Sequence, residues 1–290
     1  MMHTTEPAIG IIGGSGLYKM EGLADPVELS IETPFGAPSD VIMGGNLAGR
    51  QVYFLPRHGR GHRILPHELN HRANIYALRS LGVRYILCVT AVGSLQPQYE
   101  PRHIVLPSQF FDRMSGRHRH TFFGGGIVAH VSFADPVSET LRNLIADTGH
   151  ELGFPLHNGG TYVAMDGPAF STRAESEAHR HLGFDVIGMT NLPEAKLARE
   201  AEIALATMAM ITDYDCWKVE EEPVTAQTVI GHLMANADAA KKIIAQVIPK
   251  IPHTADWPEH HSLDNALITD KAYWPEETRK KLAVILDRFA

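Results

Sequence analysis

Ile203-Ala204-Leu205-Ala206-Thr207-Met208-Ala209-Met210-Ile211, followed directly by Thr212-Asp213-Tyr214-Asp215-Cys216-Trp217, is the stretch whose reading decides the fold. A short apolar run bounded by polar residues reads as a buried strand. Side chains at i and i+2 of a strand share a face, so Asp213 and Asp215 are expected side by side at the strand's exit. Two acids so placed can read two adjacent polar atoms of a ligand. Their mutual repulsion is expected to raise the pKa of one and keep a proton available near neutral pH. The same D-x-D spacing also suits a helix cap or a solvated turn.

Working outward, β-rich runs alternate with helical patterns, which predicts an α/β fold. Strands are expected over Ala8–Ile12, Gln51–Leu55, Val83–Val89, His103–Leu106 and Gly160–Met165. Helices are expected over Glu68–Leu81 (after Pro66, ended by Gly82), Pro136–Asp147, Thr172–Leu182, Pro193–Ala201 and Thr225–Val247, with Thr225 as N-cap. No repeat, low-complexity tract or change of composition divides the chain, so a single domain over 1–290 is expected. From about Pro252 the pattern is less regular and ends in an amphipathic helix from Glu276, an appendage on the domain.

The composition narrows the class. With 290 residues and 44% hydrophobic content, the chain can bury a sizeable core. A formal charge of −7 gives no basic face for nucleic acid. Cys88 and Cys216, the only cysteines, lie in apolar runs, which points to reduced thiols in a cytoplasmic protein. Met1–Pro7 lacks the basic and apolar regions of a signal peptide, and no uncharged apolar segment is long enough to span a bilayer, so no membrane partner is expected.

Several short motifs sit at predicted strand ends. Gly13-Gly14-Ser15-Gly16 follows the first strand; its backbone N–H groups and the Ser15 hydroxyl suit an anion, or simply a tight turn. It lacks the spacing of a dinucleotide fingerprint, and Leu17 breaks a nucleophile elbow. Arg57-His58 follows the second strand, where a guanidinium donates two parallel hydrogen bonds to phosphate and an imidazole adds another; a solvated basic loop is the alternative. Thr90-Ala91-Val92-Gly93-Ser94 lies where the central strand is expected to end, the position at which open α/β sheets bind ligands. Gly167-Pro168-Ala169-Phe170 sets an aromatic ring at a turn, for stacking on a flat ligand or for the core. Met189 and Thr190 join a strand to a helix, in reach of a sugar and a phosphate. His67-Glu68-Leu69-Asn70-His71 matches H-E-x-x-H, but Pro66 places the first histidine at a helix start and no third ligand follows.

These segments occur in the order expected of a nucleoside phosphorylase. The chain resembles the S-methyl-5′-thioadenosine phosphorylases of the trimeric purine nucleoside phosphorylase family, from about Ile9 to Val247, with G-G-S-G-L and T-D-Y-D-C-W its most distinctive motifs. The resemblance implies a three-layer α/β/α sandwich around a mixed, partly barrel-like sheet. It implies that Ser15, Arg57, His58, Thr90, Ala91 and Thr190 hold inorganic phosphate, which is a co-substrate, so that neither cofactor nor metal is expected. It implies further that Met189 contacts the ribose and Phe170 the purine, with Asp213, Tyr214 and Asp215 at the base. Val229 and Ile230 would line a methylthio pocket, and His130 would reach a neighbouring subunit's site in a homotrimer.

The activity so implied is phosphorolysis of methylthioadenosine to adenine and 5-methylthioribose 1-phosphate, with Asp213 protonating N7. Six-oxopurine phosphorylases of this family usually carry glutamate after G-P-x-F and asparagine later; here Ser171 and the aspartate pair favour a 6-amino purine. Departures from the pattern are Ala169 (often arginine), Gly188 (often asparagine) and Ala226 (commonly valine, near the 5′ pocket). They bear on 5′-substituent tolerance and leave 5′-methylthioinosine or another purine nucleoside as an alternative substrate. A zinc peptidase and a non-catalytic nucleoside sensor are the competing classes.

Overall fold

The computed structural model describes residues 6–14, 17, 20–218 and 226–289, with side chains for all of these except 117, 226–231, 233 and 234. Val83–Ser94 (β5) and Ala204–Asp213 (β11) pair in parallel at its centre, from Ala204 opposite Tyr85 to Asp213 opposite Gly93. Both strands show why the apolar runs are continuous. Tyr85, Leu87 and Val89 enter one core cluster while Ile86 and Cys88 enter another. Ala204, Ala206, Met208 and Met210 divide from Ile203 and Leu205 in the same way. A strand buried on both faces has no use for alternating polar residues.

The remaining strands among the described residues are Ala8–Gly13 (β1), Ala24–Leu29 (β2), Ile42–Leu47 (β3), Arg50–Pro56 (β4), Ile104–Leu106 (β6), Gln109–Asp112 (β7), Leu156–Asn158 (β8), Thr161–Ala164 (β9) and Val186–Gly188 (β10). Together they make one eleven-stranded mixed sheet in the order β2-β3-β4-β1-β5-β10-β9-β7, with β11, β6 and β8 branching from β5. Thr90–Ser94 therefore does not follow the central strand, as expected from sequence, but forms its last part, where Gly93 and Ser94 pair antiparallel with β10.

His71–Ser80 (α1) and Asn191–Glu200 (α4) cover one face; Glu139–Glu151 (α2) and Ala226–Val247 (α5) cover the other. This gives the three layers that the resemblance implied. The first helix starts later than predicted: Pro66–Glu68 is a separate 3₁₀ turn, and Asn70 caps α1 by accepting from the Ala73 N–H at 3.2 Å. His67 and His71 thus lie on different elements, so H-E-x-x-H does not present two histidines on one helix face. Arg173–His181 (α3) opens with a capping box in which Thr172 Oγ1 accepts from Glu175 N–H and Glu175 accepts from Thr172 N–H, worth about 1 kcal/mol. α4 begins at Asn191, earlier than predicted, because Pro193 fits within a first helical turn.

The tail packs on the same chain. Leu263, Ala266, Leu282, Ile285 and Leu286 join the cluster under α1 and α4, while the buried Arg50 donates to the Ile251 and Pro252 carbonyls. Its helix, Glu276–Lys281 (α6), is short. Thr225, the predicted cap of α5, lies outside the described residues, and no described helix is long and apolar enough to cross a membrane.

Candidate active site

Arg57, on the turn after β4, is buried and gives its two parallel hydrogen bonds to Glu194 of α4, Nε to Oε1 at 2.5 Å and Nη2 to Oε2 at 2.9 Å. Nη1 donates to the Val89 carbonyl at 2.9 Å. The paired donors expected to grip phosphate are thus engaged by a carboxylate. Three of the five guanidinium N–H groups are used in these bonds. Burial would lower the arginine's pKa, but Glu194 reverses this and raises it. Burial likewise would raise Glu194, and Arg57 outweighs it, so both groups stay charged. Asn191 Nδ2 at 3.1 Å, Cys88 Sγ at 3.4 Å and His71 Nδ1 at 3.9 Å also face Glu194.

His58 is placed differently from the donor predicted. Its Nδ1 lies 2.8 Å from the Ile64 carbonyl, which only accepts, so Nδ1 carries the hydrogen. Burial, with Arg57 adding to it, lowers the pKa to about 4, and the ring is neutral at pH 7. Nε2 is then an acceptor, suited to the O–H of hydrogen phosphate. The ring stacks on His62 with centroids 4.3 Å apart.

Thr90 and Thr190 come together, Oγ1 to Oγ1 at 3.3 Å, although 100 residues separate them. Thr190 is the residue before α4, yet its side chain makes no capping hydrogen bond, unlike Thr172 or Ser138. Its hydroxyl faces β5 instead of closing its own helix. Ala91 is half-buried beside Thr90 on the same strand. Ser15 lies outside the described residues.

The aspartates are not on one strand face. A register shift between Ile211 and Asp213 interrupts the ladder, and Asp215 lies beyond β11 with φ of 54°. Asp213 Oδ2 accepts from the Thr212 hydroxyl at 2.7 Å, and Oδ1 accepts from the Asp215 backbone N–H at 2.8 Å. Asp215 has its pKa raised by burial, not by repulsion from its neighbour; the Ser176 and Ser171 hydroxyls act against the shift. Ser171, singled out as a specificity position, is therefore beside Asp215. Gly93 is what lets β5 come so close: a Cβ there would lie 3.1 Å from Asp213 Oδ1 and 3.3 Å from Asp215 Cβ.

The other predicted residues are placed as follows. Met189 packs its sulfur against Gly167, and Phe170 is exposed. Tyr214 is buried with its ring edge-on to Trp217, 5.6 Å between centroids. His130 is exposed and lines a cavity of about 490 Å³ with Phe123, Ile127, Val131, Phe133 and Glu200, a set that includes none of the phosphate or purine candidates. The side chains of Ala226, Val229 and Ile230 lie outside those described. Among the described residues no group of three or more His, Cys, Asp or Glu is placed to hold a metal ion.

Sequence reasoning missed Glu194, Trp217 and Arg180. Trp217 Nε1 donates to the Ser94 carbonyl at 2.8 Å, and the Arg180 guanidinium lies 3.8 Å from the centre of the Trp217 ring while donating to the Leu95 carbonyl. The two residues clamp the segment after Asp215 onto the end of β5. A lone acid in the first turn of an apolar helix, four residues after Thr190, was the available signal for Glu194.

Comparison with known proteins identifies the family. The phosphorylase superfamily profile matches residues 8–249. An S-methyl-5′-thioadenosine phosphorylase of Gloeobacter violaceus is 52% identical over 294 aligned residues, spanning 99% of this chain and 98% of its own. The crystal structure of a methylthioadenosine phosphorylase sourced from an antarctic soil metagenomic library superimposes with a TM-score of 0.92 at 47% identity, over 98% of this chain and 100% of the other. A methylthioadenosine phosphorylase from Schistosoma mansoni, solved in complex with adenine, gives 0.81 at 33% identity over 97% and 98%. The chain belongs to the phosphorylase superfamily and, within it, to the S-methyl-5′-thioadenosine phosphorylases, a family of pentosyltransferases.

Proposed function

We propose that the chain catalyses the reversible phosphorolysis of S-methyl-5′-thioadenosine, giving adenine and 5-methylthioribose 1-phosphate. The observation that carries this reading is the spacing along β5. Thr90 meets Thr190 beside the buried Arg57, and Gly93 abuts Asp213 and Asp215. Three residues of strand separate an anion subsite from an acid pair by roughly 10 Å. That distance fits a phosphate, a ribose and a purine laid end to end.

The chemistry follows from the two ends. Phosphate, held by the remaining Arg57 N–H groups and by Thr90, Thr190, Ser15 and Ala91, attacks C1′ as the C1′–N9 bond breaks. The sugar passes through an oxocarbenium-like state that the anion stabilises by proximity and charge. The bond's electron pair leaves on the purine, and Asp213 delivers a proton to N7, so adenine departs neutral. Asp215, whose burial favours the protonated form, and Ser171 face the 6-amino end. Phe170 and Met189 cover base and ribose, and Val229 and Ile230 receive the methylthio group. In a homotrimer His130 serves a neighbour's site near the 5′ group.

The test is phosphate-dependent release of free base from methylthioadenosine, methylthioinosine, adenosine and inosine. The reading requires methylthioadenosine to be cleaved well ahead of inosine, with no release when phosphate is omitted. Comparable rates for the 6-oxo substrates would remove the role given to the acids.

A further inference from the structure

We infer that the Tyr162 hydroxyl is a positioning group for inorganic phosphate, setting the Thr90 and Thr190 hydroxyls, and that Gly188 is what admits it. The inference rests on the phosphate subsite proposed above. Tyr162 is fully buried on β9, and its hydroxyl oxygen has no partner at hydrogen-bond geometry among the described residues. A buried hydroxyl left unpaired costs stability, and phenylalanine would fill the same space without that cost. The ring itself has an ordinary packing role, against Phe110 at 5.3 Å. The oxygen does not share that role. It lies within reach of the Thr90 hydroxyl and the Thr190 backbone without an aligned hydrogen bond to either, so a small adjustment on anion binding completes one, and Arg57 is close enough to add its charge.

Gly188 makes the approach possible. A Cβ at this position would lie 2.0 Å from the Tyr162 hydroxyl and 2.6 Å from its Cζ. Any side chain at 188 would displace the tyrosine. Gly188 stands two residues before Thr190, so ring, glycine and phosphate hydroxyl form one packed unit. Burial pushes the phenol up to about 12, so it keeps its proton and can donate. A donor directed at Thr90 Oγ1 leaves the threonine's own hydrogen free to point at an anion, in place of being spent between the two threonines, now 3.3 Å apart.

Titration calorimetry with inorganic phosphate, alongside steady-state phosphorolysis, tests this on full-length wild type, Tyr162→Phe, Gly188→Ala and Phe110→Leu. Tyr162→Phe is expected to weaken phosphate binding and raise its KM by roughly tenfold, the loss of one oriented hydrogen bond, without a fall in Tm or a change in nucleoside KM. Gly188→Ala, which displaces the ring, is expected to weaken phosphate binding and to add little further loss in the double variant. Phe110→Leu, touching only the ring, is expected to lower Tm and leave phosphate affinity alone. Unchanged phosphate affinity in Tyr162→Phe, or equal losses in Phe110→Leu, overturns the inference. Wild type that binds phosphate without phosphorolysis overturns the proposed reaction but not this role; wild type that does not bind phosphate overturns both.

Discussion

Asp213 accepts the backbone N–H of Asp215 through Oδ1 at 2.8 Å, so one acid shapes the turn that carries the other. The two carboxylates are a turn-forming residue and the residue it positions, not equal members of a dyad. An asparagine at 213 retains the accepting oxygen and so the turn, but it has no proton to give. Asp213→Asn is expected to fold with an unchanged Tm and to lose about 10²–10⁴ in kcat. Asp213→Ala should lose the turn as well, visible as a lower Tm. Near-wild-type turnover in Asp213→Asn would mean the acid is elsewhere.

Burial raises Asp215, and the Ser176 and Ser171 hydroxyls hold it back by favouring the carboxylate. Removing one of these hydroxyls should let the pKa rise further. Ser171→Ala is therefore expected to move the Asp215-dependent limb of the kcat/KM pH profile to higher pH, and Asp215→Asn to abolish that limb. A profile indifferent to both changes would detach Asp215 from the reaction.

The central strands and their face-by-face burial could be read from Val83–Val89 and Ile203–Ile211, because strands covered on both sides must be apolar throughout. The edge strands could not. Ala24–Leu29 contains Pro26 and is exposed over most of its length, so no apolar alternation marks it. Asp213 and Asp215 do not share a strand face as expected, since the i, i+2 rule holds only while the strand continues, and the ladder shifts before Asp213. Arg57 was expected at the phosphate site, but Glu194 was not paired with it. That contact joins positions 137 residues apart, and no local pattern encodes it. Thr90–Ser94 is expected where the central strand ends, because glycine and threonine also form turns, whereas it is the last part of that strand and Gly93 serves the close approach of Asp213.

Glu194 holds the Arg57 charge inside the core, with both groups buried. Breaking a buried pair by removing one partner leaves an uncompensated charge, at a cost of roughly 3–5 kcal/mol. Glu194→Gln is expected to lose stability of that order in urea denaturation. Added phosphate, which supplies negative charge nearby, should recover more stability in the variant than in wild type. Equal stability of the two proteins would show that the pair is not what fixes Arg57.

Acid should destabilise the fold through its buried imidazoles. His58, His71 and His260 are lowered to about 4, burial being the first cause in each. Between the unfolded value near 6.5 and the folded value near 4, the unfolded chain binds protons that the folded one does not. Stability is therefore intact above pH 6.5 and falls as pH drops toward 4, on the order of 3 kcal/mol for the fully buried His71 and less for the partly buried His58. Glu200 works in the opposite sense. Burial pushes it up to about 7 despite hydrogen bonds from Thr121 and Phe122, so its contribution falls as pH rises from about 4.5 to 7. Urea titrations should show net loss below pH 6.5, and Glu200→Gln should steepen it by removing the opposing group. A flat stability profile from pH 4 to 7 would contradict the buried neutral histidines.

A crystal structure of the full chain with adenine and phosphate is the most direct test of the account. It should place a carboxylate oxygen of Asp213 within hydrogen-bond distance of purine N7, Asp215 toward the 6-amino group, and the anion between Thr90, Thr190 and the Arg57 guanidinium. Adenine seated away from both aspartates, or phosphate bound remote from Arg57, would contradict it.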